Sequence, residues 1–515
     1  MLFTSYLFIA FLAAVLAACF VCPPRVRWML LLLVSGVFYA WTGWDNVACL
    51  SVTVLTTYAA GRRIGQWHGR RAAYLAAHPE LSREERRIYN RRNEAARRRA
   101  LAACLALNLG LLGAIKYAAV TVGGANALLG MNLSAPRLIM PMAISFYTFQ
   151  SVGYVIDVYR GAVPAERNAA RFALFCSFFP QMVQGPISRY EDLSKTLFST
   201  ESIGADAFRD GLYRVALGFF KKLVIADRLL AAVKIITGDP QTYDGAYTAV
   251  GILLYAVTLY ADFTGGIDIA VGAARAMGVR LPENFNRPFA AVSIADYWRR
   301  WHITMGTWFR DYVFYPLSAS RPLIKLSKWM RGKNAAAGKR VPVYITTLTV
   351  WLATGAWHGA SLNFWVWGLL NGLVIVLSEE CAPLYKRFRA RFAVSETALY
   401  RAFMIVRTFC LMSLIRSLDV YDGVGTTFRA LGSMVTRFDG QRLWNGGFAA
   451  LGLTAGDAVV AAAGIGVLLW AGRPVEPTSR PALRYAGTLA LVLATLVFGA
   501  YGPGYDAAQF IYNRF

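Results

Sequence analysis

Two stretches, DYWRRWHITMGTWFRDYVFYPL from Asp296 to Leu317 and WLATGAWHGASLNFWVWGLLNG from Trp351 to Gly372, contain two of the four histidines in this 515-residue chain. Each histidine follows a tryptophan, as Trp301-His302 and Trp357-His358, within a run of apolar and aromatic residues. An ionisable side chain in membrane-embedded sequence is costly, and it therefore marks a functional site by default. Histidine is also the side chain best suited to proton transfer near neutral pH. We therefore predict that His302 and His358 form a reaction centre.

The composition around these stretches is that of an all-α, polytopic membrane protein. Hydrophobic residues make up 57% of the chain and charged residues only 16%, whereas a soluble protein carries nearer a quarter charged residues. Several windows reach the roughly 20 apolar residues that a helix needs to cross a bilayer. The first 21 residues carry no charge, so they lack the positive region of a signal peptide and are interpreted as a retained first span.

The formal net charge of +25 comes from basic clusters between the apolar spans. The segment 62–100 holds twelve arginines against four glutamates, and the segment 321–340 holds seven basic residues and no acid. The positive-inside rule places such clusters on the cytoplasmic side, where they can bind anionic membrane lipids. Because no nucleic-acid-binding module accompanies the charge, we do not expect a nucleic-acid partner.

Counting sides by the same rule gives about eleven transmembrane crossings, with the N-terminus and the C-terminus both outside the cytoplasm. The basic cytoplasmic segment 62–100 is expected to form a solvated helix at the membrane surface. No internal repeat or soluble domain is visible, so we predict a single integral membrane domain over 1–515. The expected crossings are 2–21, 28–44, 45–61, 101–122, 138–159, 244–262, 341–358, 361–381, 400–418, 457–471 and 485–502.

The middle of the chain is less regular. The apolar segment 172–190 is interrupted by two prolines and contains Gln181 and Gln184. Broken backbone at membrane depth is tolerated only where it is buried in protein or lines a cavity, so a re-entrant element that shapes a tunnel is predicted. Asp268 follows the next apolar span and is a candidate for tunnel polarity, although pairing with Lys221 or Lys222 would explain it equally well.

The segment around His302 is expected to be a partly buried or interfacial helix. At helical spacing, Trp298, His302, Met305 and Phe309 share one face. A loop, LPENFNRPF at 281–289, leads into this helix because its two prolines and two asparagines exclude a membrane span.

The two histidines suit attack by a hydroxyl on an ester or thioester. That reaction needs a base within reach of the hydroxyl proton and a donor for the developing oxyanion. One histidine can serve as the base while the other, or Asn363, orients or stabilises the reacting groups. The competing interpretation is a histidine that is hydrogen-bonded to a neighbouring helix for packing.

Other site types are less well supported by the residues. No third ligand stands near the two histidines, so no metal site is expected. Arg299 could contact an anionic donor substrate, or it could reach the head groups or pair with a carboxylate such as Asp311. His68 and His78 lie in the basic segment and are interpreted as solvated residues.

Several long motifs in one order resemble the membrane-bound O-acyltransferase family. The similarity is to the bacterial branch that contains the alginate O-acetyltransferase membrane subunit and the D-alanyl transfer protein of teichoic acid modification. The motifs lie in the core 138–381 and differ from the expected pattern at FTGGID (263–268) and at Asn371. They are MPMAISFYTFQSVGYVIDVYRG (140–161), FPQMVQGPISRY (179–190), GFFKKLVIADRL (218–229), LPENFNRPF and the two histidine stretches.

This resemblance implies a ring of tilted helices around a central tunnel, with His358 at the family's invariant histidine and His302 at its second motif position. Gln181, Gln184, Asp268, Arg299, Trp301, Trp357 and Asn363 are weaker candidates for lining the tunnel. The implied activity is transfer of an acyl group, expected to be acetyl from acetyl-CoA, from the cytoplasm across the bacterial inner membrane towards an exported polysaccharide.

The resemblance also implies a periplasmic partner of the SGNH-hydrolase type and a polysaccharide synthesis and export complex. A different class of function would be a proton-coupled transporter or flippase, whose intramembrane histidines relay protons. The lack of an inverted repeat argues against it.

Overall fold

The computed structural model describes residues 3–134, 140–470, 472, 480–502 and 505, and within these residues the chain is helical and contains no strand. The all-α, polytopic membrane fold predicted from the composition is confirmed. The chain divides into two compact units, 1–211 with 270–282 and 212–269 with 283–515. The predicted positions of the two chain termini concern residues outside the described part.

In the first unit the basic segment 62–100 is largely helical, as predicted, but it forms no helix of its own: its residues belong to two long helices, Trp44–Ala77 and Arg83–Leu129. The apolar spans at 45–61 and 101–122 continue directly into it, because no proline separates the apolar and basic parts of either helix. A capping box of Ser82 and Glu85 starts the second long helix. The helices of this unit are α1 (Tyr6–Val21), α2 (Arg27–Thr42), α3 (Trp44–Ala77), α4 (Arg83–Leu129), α5 (Ile144–Arg160), α6 (Ala169–Ser177), α7 (Phe179–Gln184), α8 (Tyr190–Leu197) and the beginning of α9 (Ala205–Phe219).

The predicted interruption in the first unit is present. Helix α6 ends before Phe178, α7 follows with Pro180 in its first turn, and Gly185 ends α7. A Cβ at Gly185 would lie 2.3 Å from the Cα of Gln181, so only glycine allows this turn to close. Every residue of the segment 174–188 is buried, as broken backbone in a membrane protein must be.

The second unit carries both histidines. Its π-helical turn, Phe220–Ala226, joins α9 to α10 and brings Lys221 and Lys222 into the interior. The helices that follow are α10 (Asp227–Gly238), α11 (Ala246–Ala276, whose last residues belong to the first unit), α12 (Ile294–Arg300), α13 (Ile303–Phe309), α14 (Tyr315–Ser318), α15 (Arg321–Lys333), α16 (Ala335–His358), α17 (Leu362–Glu380), α18 (Ala382–Arg391), α19 (Ala398–Arg416), α20 (Val424–Thr436), α21 (Gln441–Trp444), α22 (Gly447–Ala450), α23 (Ala455–Trp470) and α24 (Pro481–Phe498).

The helix expected around His302 is broken, which corrects the sequence prediction. Helix α12 ends at Arg300 and α13 begins at Ile303, and His302 between them has a left-handed backbone with φ of 49°. The loop 281–289 bonds to both broken ends. The N–H of Asn286 donates to the carbonyl of Arg300 at 2.9 Å, and the N–H of Ile303 donates to the carbonyl of Asn284 at 2.9 Å. The loop thus satisfies backbone groups that the break leaves without helical partners.

Five helices of the described residues are long and apolar enough to cross a membrane. Three shorter helices are also apolar, α1, α2 and α23. The chain is therefore a multi-pass membrane protein, while the figure of about eleven crossings stays a prediction. The five long segments are Arg83–Leu129, Ala246–Ala276, Leu362–Glu380, Ala398–Asp419 and Pro481–Phe498.

Candidate active site

Both predicted histidines line one cavity in the second unit. Aromatic and apolar side chains form most of its wall, and the polar groups are two imidazoles, one guanidinium and one carboxylate. The lining residues are Leu259, Phe263, Trp298, Trp301, His302, Met305, His358, Trp367, Arg416 and Asp419.

His302 is held in the break between α12 and α13 and is 1% exposed. Its ring meets the edge of Phe263 at a centroid distance of 4.9 Å. Its Nδ1 lies 3.3 Å from the side-chain Oδ1 of Asn284, which also accepts hydrogen bonds from the backbone N–H and the hydroxyl of Thr304. The left-handed backbone of His302 is uncommon for a residue with a Cβ, and such strain concentrates at functional sites.

His358 is the last residue of α16 and is followed by the extended Gly359. Its ring contacts Trp367 edge-on at 5.0 Å and stacks at 6.1 Å on Phe364, both from α17. The two helices approach closely because a Cβ at Gly355 would lie 2.3 Å from the carbonyl oxygen of Phe364. The small residues beside the histidine therefore bring α17 against it.

Trp357 connects the two histidines. Its ring lies 4.9 Å from the ring of His358 and 6.1 Å from that of His302, measured between centroids. Trp301, from the other Trp-His pair, lines the cavity and stacks on Tyr297 at 5.5 Å. The sequence prediction placed these four residues at the site, and the structure brings them together.

Arg416 and Asp419 line the same cavity and were not singled out from the sequence. The guanidinium Nη1 donates to the carboxylate Oδ2 at 3.0 Å, and the two side chains are 8% and 3% exposed. The guanidinium also lies over the ring of Trp301 at 4.2 Å and over that of Trp298 at 5.5 Å. Their sequence signal was a charged pair three residues apart at the end of an apolar helix, which we interpreted only as the end of a span.

Asn363 and Asp268 have partners outside the cavity lining. The Asn363 amide donates to the backbone carbonyls of Leu418 at 3.0 Å and Tyr421 at 2.8 Å, and so holds the segment that contains Asp419. Asp268 accepts from Lys221 at 2.6 Å and from Arg214 at 2.9 Å. The alternative explanation offered for this aspartate, pairing with a lysine, is thus confirmed.

Arg299 does not face the cavity. Its side chain is 69% exposed and lies 3.6 Å from the carboxylate of Asp296.

Gln181 and Gln184 belong to the first unit, where both are buried. Gln181 donates to Ser188, whereas the amide nitrogen and oxygen of Gln184 have no hydrogen-bond partner among the described residues.

The other two histidines lie in the first unit and are less exposed than we expected. His68 is half-buried and bonds to the backbone of Tyr159 and to Arg97. Burial and the adjacent Arg97 charge lower the pKa of His68. His78 bonds to the carbonyl of Tyr74 and stacks on its ring.

The second-unit cavity has the groups that acyl transfer needs. An imidazole can take a proton from an attacking hydroxyl, and nearby N–H donors can stabilise an oxyanion. The aromatic wall limits water at the reacting atoms and strengthens such interactions. The described residues contain no group of three or more His, Cys, Asp or Glu side chains arranged to hold a metal ion.

Comparison with known proteins identifies the same chemistry. The model of the membrane-bound O-acyltransferase family matches residues 163–332, a range that includes His302. A protein of Azotobacter vinelandii named "Probable alginate O-acetylase AlgI" is 35% identical over 386 residues, which cover 74% of this chain and 69% of that protein.

Two further relatives act on other polymers, according to their names. The peptidoglycan O-acetyltransferase of Helicobacter pylori is 30% identical over 55% of this chain and 56% of its own length. The teichoic acid D-alanyltransferase of Bacillus subtilis is 28% identical over 50% of this chain and 62% of its own length.

Proposed function

Because the chain belongs to the membrane-bound O-acyltransferase family and is therefore an acyltransferase, we propose that it transfers acetyl groups from a cytoplasmic donor towards an exported polysaccharide. The observation that carries the proposal is the single cavity lined by His302 and His358 between aromatic walls. The relatives named above support a polysaccharide as the final acceptor, and two of the three are named for acetyl transfer.

In the proposed reaction, His358 is the general base. It takes the proton of the attacking hydroxyl as the oxygen bonds to the carbonyl carbon of the acyl thioester. The carbon–sulfur bond then breaks, and the proton passes to the departing thiolate. His302 orients the reacting groups from the opposite Trp-His pair, with Trp357 in contact with both rings.

Arg416 supplies a fixed positive charge to the same cavity. The Asp419 carboxylate offsets it and the tryptophan rings hold the guanidinium in place. Its remaining N–H groups are suited to stabilise negative charge that develops on the carbonyl oxygen. Arg416 therefore joins the two histidines as a proposed site residue.

Acetyl-CoA is the proposed donor, and the bacterial inner membrane is the proposed location. The basic segments 62–100 and 321–340 support a cytoplasmic face that carries positive charge, where an anionic thioester would arrive. The proposed partner is a periplasmic SGNH-hydrolase-like acetyltransferase, which would complete transfer to the polymer within a synthesis and export complex.

The test uses membranes that contain the full chain, radiolabelled acetyl-CoA and the cell's own polysaccharide. His358→Ala should lower acetylation of the polymer by about 10²–10⁴-fold, the usual contribution of a general base. His78→Ala is the matched control, because the hydrogen bond and the ring contact of its side chain are with Tyr74 in the first unit and it does not line the cavity.

Two results would overturn the proposal. One is unchanged polymer acetylation by folded His358→Ala protein. The other is loss of polymer export while the remaining polymer stays fully acetylated, which would favour the transporter. Size-exclusion chromatography of the solubilised variants establishes that they are folded.

A further inference from the structure

Asn284 determines which ring nitrogen of His302 carries the proton. Its side-chain oxygen is identified by the bond from the Thr304 backbone at 3.0 Å, because a backbone N–H can only donate and an amide NH₂ group cannot accept. The atom that faces His302 Nδ1 at 3.3 Å is the same oxygen. An oxygen acceptor requires a donor opposite it, so Nδ1 must carry a hydrogen.

The ring should also be neutral. His302 is fully enclosed, and burial disfavours an added charge. The charged groups that share its cavity are Arg416, which disfavours a second positive charge, and Asp419, which is paired with that arginine; His358 is the other titratable group. A neutral imidazole with a hydrogen on Nδ1 has an acceptor at Nε2.

We propose that Asn284 is a positioning residue that fixes His302 as the Nδ1–H tautomer, so that Nε2 is a hydrogen-bond acceptor while His358 takes the proton of the attacking hydroxyl. The role of His302 in this inference rests on the proposed acyl transfer, and the inference specifies which ring nitrogen of His302 can take part in that reaction. A neutral His302 with this tautomer can orient a donor group of the reactants through Nε2, but it cannot donate through Nε2 to the oxyanion. Oxyanion stabilisation then falls to other donors of the cavity, and Arg416 is the charged one.

The direct test is nitrogen NMR of the purified full chain labelled with ¹⁵N-histidine. The protein has only four histidines, so His302→Gln identifies the His302 signals by their loss. The wild-type signals should be those of a neutral ring with the hydrogen on Nδ1. A ring with its hydrogen on Nε2, the form that free histidine favours, or a ring protonated on both nitrogens at neutral pH would overturn the inference.

Variants of the same loop test whether Asn284 is the cause. Asn284→Ala should shift His302 towards the Nε2–H form and lower kcat at least tenfold, whereas Asn284→Asp keeps the acceptor and should keep hydrogen on Nδ1. Asn286→Ala is the matched control, because the Asn286 side chain is exposed and only its backbone bonds to Arg300. An unchanged tautomer in Asn284→Ala would refute the role of Asn284.

The loss of a backbone acceptor in Asn284→Ala could also prevent folding. The wild-type spectrum and Asn284→Asp then decide the question, because neither removes the acceptor. The NMR result does not depend on turnover. An Nδ1–H ring in a chain that transfers no acetyl groups would refute the proposed function alone, and transfer by a chain with an Nε2–H ring would refute this inference alone.

Discussion

Replacing Asp419 by asparagine should destabilise the second unit strongly although the side chain keeps its shape. The substitution removes the carboxylate that lies 3.0 Å from the Arg416 guanidinium, in a place where both side chains are less than 10% exposed. Breaking a buried pair by removing one partner costs about 3–5 kcal/mol, because the other charge stays buried without compensation. An exposed pair of the same length would cost only about 0–1 kcal/mol.

A double-mutant cycle separates the interaction energy between Arg416 and Asp419 from the cost of burying each charge. Arg416→Met should lower the free energy of unfolding by about as much as Asp419→Asn. The loss in the double variant should be smaller than the sum of the two single losses by about 2–3 kcal/mol. Methionine is chosen because it retains apolar contact with Trp301. Arg401→Met, at an exposed position of the same helix α19, is the matched control and should change the free energy of unfolding by no more than about 0.5 kcal/mol.

The assay is unfolding of the purified protein in detergent by titration with sodium dodecyl sulfate, followed by tryptophan fluorescence. Size-exclusion chromatography establishes that each variant starts folded. A loss below about 1 kcal/mol in Asp419→Asn would mean that water reaches the pair, and our description of a dry, charge-balanced cavity wall would be wrong. The double variant should remain inactive in acetyl transfer even where its stability recovers, because it lacks the guanidinium.

Two further substitutions test the packing around the site by the same unfolding assay. Gly368→Ala should lower the free energy of unfolding by about 1–3 kcal/mol, because its Cβ would lie 2.4 Å from the Trp351 carbonyl oxygen across the α16–α17 contact. The control Gly432→Ala meets nothing within 4 Å and should be neutral or stabilising. Equal effects of the two substitutions would contradict the close approach of the helices. Lys222→Met should lower the free energy of unfolding by about 3–5 kcal/mol, because the ammonium lies 2.7 Å from each of two buried carboxylates. The control Lys234→Met, at an exposed position of the helix that follows, should change the free energy of unfolding little. A small effect at both lysines would contradict the buried ion-pair network.

The parts of the site that depend on residue type could be predicted from the sequence. His302 and His358 stand out because an imidazole is rare and costly in apolar sequence, and the structure places both on one cavity. The pairing of Asp268 with Lys221 was also foreseeable, since two opposite charges in neighbouring apolar segments need each other.

The parts that depend on contacts distant in sequence could not be predicted. The helical period runs through Trp301 and His302 without a proline or glycine, so nothing local indicates the break. The break is stabilised by the loop around Asn284, whose backbone and side chain replace the helical partners of Ile303 and Thr304. The continuity of the basic segment 62–100 with the neighbouring apolar spans was also missed, because a change from apolar to charged residues does not end a helix whose propensity continues.

The break and the chemistry depend on the same asparagine, and this explains why a left-handed histidine is tolerated there. A left-handed backbone costs roughly 1–2 kcal/mol for a residue with a Cβ, and the cluster of hydrogen bonds on Asn284 can offset that cost. A continuous helix through His302 would have less backbone strain. Its own carbonyls would then accept from the N–H groups of Ile303 and Thr304, which bond to Asn284 in the structure. Asn284 would lose the bonds that hold it against the His302 ring. In the resulting cavity the arginine stays charged and the aspartate is its counter-ion. Of the two imidazoles that line it, the half-buried His358 is therefore the one suited to exchange a proton near neutral pH, because the fully buried His302 is held neutral.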